Sequence, residues 1–428
     1  MMGRIVLLMM TLGFLLTSFS ESPAQESDAA SPSLQALIDE ALTHNPELEA
    51  ARERWEMFRR KEFPAQTLSD PRLTFALSNY PVDTFSSDDT PMTGNDLRID
   101  QAFPFPGKLK ARGEAARQQA LWYKGVYEDA RLQLVMKVKD AWYRIFYQDR
   151  AIDVTQKNMA LLDDFIRLTE TRYEVGEGLQ QDVLKAQIER SKLLDRLYTL
   201  QQERESLLAE FNRLLARPSA TPLTVPKDIP EQRLEVNLEE IQGAAEEHRP
   251  LFASYRALIG QYQSQKKLAE LDYKPDFNLF AGYRFRDDDL PDGGTDFLSA
   301  GISINLPVWR EKRSEQVAEA DSGIRMARSQ FEDFRHQVQS RVHDAYARVE
   351  KNRTLVELFD SGILPQARQT FEASLAAYQV GDVDFLSLLD SLMTLYRYEM
   401  DFFRAVSDHR RALAVLEAAS GRTVPAEQ

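Results

Sequence analysis

The sequence predicts a mainly α-helical chain with a small β part, built twice from one unit. Three observations carry that prediction. Four short motifs recur at an offset of 203–205 residues. Each half holds long, helix-forming stretches free of proline. Each half also holds two short runs with the two-residue apolar alternation of strands.

The first residues read as an export signal. Met1–Arg4 is a short positive segment and Ile5–Phe19 an almost unbroken apolar run. Ser22-Pro23-Ala24 then places small residues before Gln25, so residues 1–24 are expected to be removed. After Ala24 no apolar stretch reaches the roughly 20 residues of a membrane-crossing helix. The mature chain is therefore expected outside the cytoplasm, either soluble or in a membrane as strands. There is no cysteine, which excludes disulfides, thiolate metal sites, cysteine nucleophiles and a cysteine-linked lipid anchor. The net charge is −14, and removing residues 1–24 leaves it unchanged because Arg4 and Glu21 cancel. That balance argues against nucleic-acid binding, which rests on Lys and Arg neutralising phosphates.

The repeat organises the rest. His44-Asn45-Pro46 matches His248-Arg249-Pro250, and Asp70-Pro71-Arg72-Leu73 matches Lys274-Pro275-Asp276-Phe277. Phe103-Pro104 matches Leu306-Pro307, and Tyr173-Glu174-Val175-Gly176 matches Tyr378-Gln379-Val380-Gly381. The first repeat is expected over 25–217 and the second over 237–422, with a tail at 423–428. Between them, 218–236 contains Pro218, Pro222, Pro226 and Pro230, a density that gives an extended linker.

Each repeat reads helix, strand, loop, strand, very long helix, tight turn, long helix. Leu34–Phe63 has helical spacing, and Pro64 and Pro71 are expected to stop it. Strands are expected at about 72–80, 96–103, 276–285 and 296–306. Leu73, Phe75 and Leu77 share one face. Leu298, Ala300, Ile302 and Ile304 share another, opposite Ser299, Gly301, Ser303 and Asn305. One apolar face and one small polar face is the pattern of a membrane barrel strand. The strands alone favour a hairpin half-buried on a soluble core. From Lys108 to Arg172 there is no proline and only Gly113 and Gly125. A helix of that length spans on the order of 100 Å. The return helix carries Leu193, Leu197, Leu200, Leu207, Phe211 and Leu214, with Arg204 in the skipped position. The last helix carries Leu386, Leu389, Met393, Tyr396, Met400 and Phe403. Alternating steps of three and four mark long helices packed at shallow angles.

Four strands cannot seal a membrane sheet, because unpaired N–H and C=O groups in lipid cost several kcal/mol each. Ordinary bacterial barrels need about eight strands. If the strands enter a membrane they must close with other copies. Three copies give about twelve strands, although counting does not choose three over two or four.

At this point the sequence resembles the TolC-like outer-membrane efflux protein family over nearly the whole mature chain. The elements are Leu34-Gln35-Ala36-Leu37 through Asn45-Pro46, and Gln101-Ala102-Phe103-Pro104-Phe105-Pro106-Gly107-Lys108. Arg172-Tyr173-Glu174-Val175-Gly176 with Asp182-Val183-Leu184-Lys185-Ala186-Gln187 follows, then Tyr378-Gln379-Val380-Gly381 through Leu389-Asp390. The resemblance implies a homotrimer whose four strands per chain form a 12-stranded outer-membrane β-barrel, continued by a long α-helical periplasmic tunnel. It implies a passive exit duct, not an enzyme and without cofactors. Its partners would be outer-membrane lipid, a periplasmic adaptor (membrane fusion) protein and an inner-membrane transporter of the resistance-nodulation-division type. The Phe-Pro-Phe-Pro-Gly-Lys junction looks most like members exporting heavy-metal cations. Drug efflux and type I protein secretion are the alternatives, and a soluble periplasmic coiled-coil scaffold is the alternative of another class.

Hairpin tips are expected at about 174–179 and 379–384. Adaptor contact is expected at Val175, Gly176, Gly178 and Leu179, with Glu177 between them. The second tip offers Val380, Gly381 and Val383, flanked by Asp382 and Asp384. By the resemblance, Asp390 aligns with an aspartate ringing the periplasmic entrance, and Ser387 stands where the family has a second acidic residue. Three Asp390 carboxylates about one axis favour cations. Asp182 and Tyr378 align with members of a latch holding the tips closed, whose arginine partner is Val383 here. His336 and His343 share a helical stripe but lack a third metal ligand. Residues 105–108 lack the spacing of a phosphate-binding loop.

Overall fold

The computed structural model describes residues 33–230, 237–290 and 292–422. The expected export signal, the end of the linker and the tail lie outside the described residues. In the first repeat α1 (Leu34–His44), α2 (Pro46–Arg60) and α3 (Glu62–Gln66) lead into β1 (Arg72–Ser78) and β2 (Gly94–Phe103). Then come α4 (Lys108–Glu174) and α5 (Gln180–Leu214). The second repeat runs α6 (Leu238–His248), α7 (Pro250–Leu271), β3 (Phe277–Phe285), β4 (Phe297–Ile304) and α8 (Arg310–Leu358). A π-helical turn, Phe359–Ile363, precedes α9 (Leu364–Val380) and α10 (Phe385–Ser420).

The opening helix is not continuous. Pro46 forces Asn45 into an extended conformation, and the Asn45 side chain caps α2 by accepting from Leu48 N at 3.0 Å. Its amide also donates to Leu214 O at 2.9 Å, tying the start of the repeat to the end of α5. Pro64 does not stop the chain either. It sits in the first turn of α3, where a missing N–H costs nothing.

The 67 residues of α4 form one unbroken helix about 100 Å long. Its counterpart in the second repeat differs. Pro365 has no N–H to continue the ladder, and the turn before it widens to π geometry. The described part of the linker is not free chain. Leu223 and Val225 are buried with Phe211 and Leu214, and Arg204 donates to Leu223 O at 3.2 Å.

The helical seams shift from the expected stripes. In α5 Leu208, not Leu207, is fully buried, because the helix rotates past the position held by Arg204 and its partner Asp149. In α10 Phe385, Leu388, Leu392 and Leu395 face the chain's own core, while Leu386 is exposed and Met393 and Tyr396 are half-buried. Two apolar stripes run side by side there, and spacing alone does not say which one faces inward.

His409 on α10 is buried, and its Nε2 has no hydrogen-bond partner. Burial, aided by the nearby Arg410 and Arg353 charges, pushes its pKa down to about 4. The unfolded chain takes up that proton near the ordinary value of about 6.5. The neutral ring's stabilisation is therefore complete above about pH 6.5 and is lost as pH falls toward 4, by about 3 kcal/mol in all. The melting temperature of His409→Leu should fall less than that of the unaltered protein between pH 7 and 4.5. Equal slopes would contradict this.

Candidate functional site: sheet, junction and hairpin tips

The four strands form one antiparallel sheet in the order β1-β2-β3-β4, leaving β1 and β4 as unpaired edges. The strand bounds are close to the sequence expectation. β1 stops at Ser78 because Asn79 takes a left-handed conformation (φ 59°) that breaks the pleat. The register Leu73↔Ile99, Ile99↔Ala281 and Leu279↔Ile302 puts the aliphatic residues of the four strands largely on one face, with Phe280 and Phe297 on the other. Leu73, Phe75, Leu298 and Ile302 are exposed there. The opposite face carries ion pairs. Arg284 grips Asp96 at 2.7 and 3.0 Å, and Arg98 grips Asp100 at 3.0 and 2.7 Å. The Arg98 guanidinium also lies 4.0 Å over the Phe280 ring.

Lys108 clasps the junction of sheet and helices. It is 2% exposed, with its Nζ 3.0 Å from Asp272 and 2.9 Å from Asp276, and it donates to Lys274 O at 3.2 Å. Asp276 also accepts from Phe105 N at 2.7 Å, and Arg313 donates to Asp272 O at 2.7 Å. The starts of α4 and α8 thus hold the same corner between α7 and β3. The sequence reading quoted Lys108 only as part of a motif. Nothing local signals its role, because both carboxylates lie in the other repeat.

At the first tip α4 ends on Glu174, and Arg172 O accepts from Glu177 N and Gly178 N at 2.9 and 3.0 Å. Gly176 (φ 80°) and Gly381 (φ 85°) make the left-handed steps that reverse each hairpin. Val175, Leu179 and Val380 stand out, at 66%, 59% and 72% exposure. Val383 instead turns half-inward against the core shared by the two hairpins. Asp384 caps α10 by accepting from Ser387 N at 2.8 Å, and the Ser387 hydroxyl, aided by that N–H, keeps its carboxyl below the usual range. Ser387 and Asp390 are exposed, one turn apart on the same face of α10.

Tyr378 is 4% exposed, its ring 5.8 Å from Phe385. Asp182 is half-buried, and burial, reinforced by the charge of Asp384, raises its pKa. No hydrogen bond joins Asp182 to Tyr378 among the described residues. The group that does reach Tyr378 from the first hairpin is Arg172, which the sequence reading passed over. Its Nη1 donates to Tyr378 O at 3.0 Å, and its guanidinium lies 4.8 Å over the ring.

Among the described residues no group of three or more His, Asp or Glu residues is placed to hold a metal, and no helix is long and apolar enough to cross a membrane. His336 and His343 therefore gain no third ligand.

The chain is thus a two-faced, four-stranded sheet standing on long helical hairpins. Residues 37–216, nearly the whole first repeat, match the family model described as outer membrane efflux protein. The outer membrane efflux protein BepC of Brucella suis is 24% identical over 66% of this chain, and the match takes in 62% of that relative's own length. The cobalt-zinc-cadmium resistance protein CzcC of Cupriavidus metallidurans is 20% identical over 95% of this chain and 94% of its own. Among solved structures, the CmeC outer membrane channel of Campylobacter jejuni superposes with a TM-score of 0.78 at 14% identity, covering 97% of this chain and 94% of that one. The likeness to the outer membrane efflux protein family thus rests on the first repeat, and the solved channel shows that the whole chain shares its fold.

Proposed function

We propose that the chain is the exit duct of a tripartite efflux system, working as a trimer in the outer membrane. The observation that carries this is the open sheet. One face is mainly apolar, interrupted by Asn95 and Gln101, the other is lined with ion pairs, and β1 and β4 offer unpaired edges. Such a sheet is sealed in lipid only when β4 of one copy pairs with β1 of the next. Three copies give twelve strands, a diameter the paired helical hairpins can continue as a tunnel. The apolar face then meets lipid and the charged face lines the channel. The exposed Val175, Leu179 and Val380 form the docking points for a periplasmic adaptor, which links the duct to an inner-membrane transporter of the resistance-nodulation-division type.

The proposed cargo is metal cations. The support is the full-length similarity to a cobalt-zinc-cadmium resistance protein. Deleting the gene should sensitise cells to divalent transition metals and leave tolerance of dyes and antibiotics unchanged. The reverse pattern would assign the duct to drug efflux instead.

Three copies of Asp390 ring the tunnel end in this reading, with Ser387 leaving the ring less negative than two acidic positions would. Asp390→Ala should lower cation-over-anion selectivity in planar bilayers. Unchanged selectivity would remove Asp390 from the entrance.

A further inference from the structure

All the charge on the four strands falls on one face. β1 contributes Arg72, β2 contributes Asp96, Arg98 and Asp100, β3 contributes Arg284, and β4 contributes none. The register joins them, with Arg72 opposite Asp100 and Asp96 opposite Arg284. Three arginines thus meet two aspartates, a surplus of one positive charge per chain. Exposure tilts the balance further. The Arg98 side chain is 44% exposed and that of its partner Asp100 only 17%. Asp100 also accepts from the Asn278 amide at 3.2 Å, so its charge is covered from a second side.

Arg98 is fixed in this position. Its pair with Asp100 is bidentate, and the Phe280 ring supports the guanidinium at 4.0 Å. The ring leans over Gly301, which lies opposite Phe280 in the register, and a Cβ on Gly301 would come within 2.6 Å of it. Thr74, Ala76, Ser299 and Ser303 on the same face are small, so the arginines are its longest polar groups.

We propose that the strand section of the duct is weighted toward anions, and that Arg98 is the residue setting this preference. The proposal rests on the duct reading above, in which this face lines the channel. Fixed guanidinium groups projecting into a pore attract anions and hold back cations. A metal cation is therefore not retained at the sheet, and anions enter alongside it. The sign is opposite to that of the Asp390 entrance, and the two sections act in series.

The test uses the full-length protein in planar bilayers, with the oligomer checked on unheated gels. The reversal potential in a KCl gradient gives the cation-to-anion permeability ratio. Asp390 and the carboxylates of the strand-linking loops contribute in every variant, so the readout is the difference from the unaltered channel. Arg98→Gln should raise the ratio roughly twofold at about 0.01 M salt, where charges are felt over about 30 Å. The rise should fade near about 1 M, where that reach is about 3 Å. Asp100→Asn should lower the ratio at low salt. Arg98→Lys keeps the charge and should leave the ratio near the unaltered value. Assembled Arg98→Gln channels with an unchanged ratio at low salt, or a rise that persists at high salt, would overturn the proposal. If Arg98→Gln does not assemble, Asp100→Asn decides, and an unchanged ratio there overturns the proposal as well. An unaltered protein that forms no channel would instead overturn the duct reading.

Discussion

Lys108→Met should destabilise the folded protein by about 2–3 kcal/mol. Breaking a fully buried ion pair by removing one partner costs about 3–5 kcal/mol, since a charge is left without compensation. Here two carboxylates lose the same cation at once. They are each about a third exposed, which lets water recover part of the loss. Lys274 O also loses a donor, and the corner between α7 and β3 keeps Arg313, the Phe105 N–H and the bonds between Asp276 and Asn305. The corner joins a flat sheet to a helical bundle, so its loosening should reach both. Thermal unfolding of the detergent-solubilised protein reads the loss. Lys312→Met, an exposed position at the start of α8, is the control and should change stability by less than about 0.5 kcal/mol. Equal melting temperatures for the two variants would show that the buried lysine is not the clasp.

Ile302→Arg and Ser303→Arg should behave oppositely although the residues are neighbours. They lie on opposite faces of β4, Ile302 opposite Leu279 and Ser303 opposite Asn278. If the apolar face meets lipid, an arginine at 302 costs about 2–4 kcal/mol per chain near the middle of the bilayer. In a trimer that cost falls three times on one assembly, and membrane-inserted protein should nearly vanish. An arginine at 303 joins a face that already carries Arg98 and Arg284. It should leave assembly intact and shift conductance instead. The assay is the amount of heat-labile oligomer in outer-membrane fractions. Equal losses for both variants would mean that the sheet is buried on a soluble core.

Much of the fold is legible in the sequence because each repeat states its elements twice. Periodicity marks the strands of Leu73–Leu77 and Leu298–Ile304, and the absence of proline marks α4. What is not legible is whatever depends on a partner far along the chain. The stripe on α10 is one case. Leu386, Leu389 and Met393 form a sound apolar row, yet Leu386 is exposed and Met393 only half-buried, while Leu389 joins Phe385, Leu388 and Leu392 in the chain's own core. Lys108 is another, since a lysine in a helix's first turn reads as solvated until Asp272 and Asp276 are brought to it. At the tips the sequence points to Tyr378 but not to its cover. An arginine in the last turn of a helix carries no signal that its guanidinium crosses to the other repeat. The π-helical turn before Pro365 lies between these cases, because the proline forecasts a break but not its form.

The central claim is that this chain completes its sheet only with copies of itself in a membrane. The most direct measurement is the native mass of the full-length protein extracted from the outer membrane in detergent. The open edges of β1 and β4 predict an assembly that cannot be recovered without detergent, and the duct reading predicts that it holds three chains. A single chain recovered in aqueous extract would contradict the account and leave a soluble helical scaffold in its place.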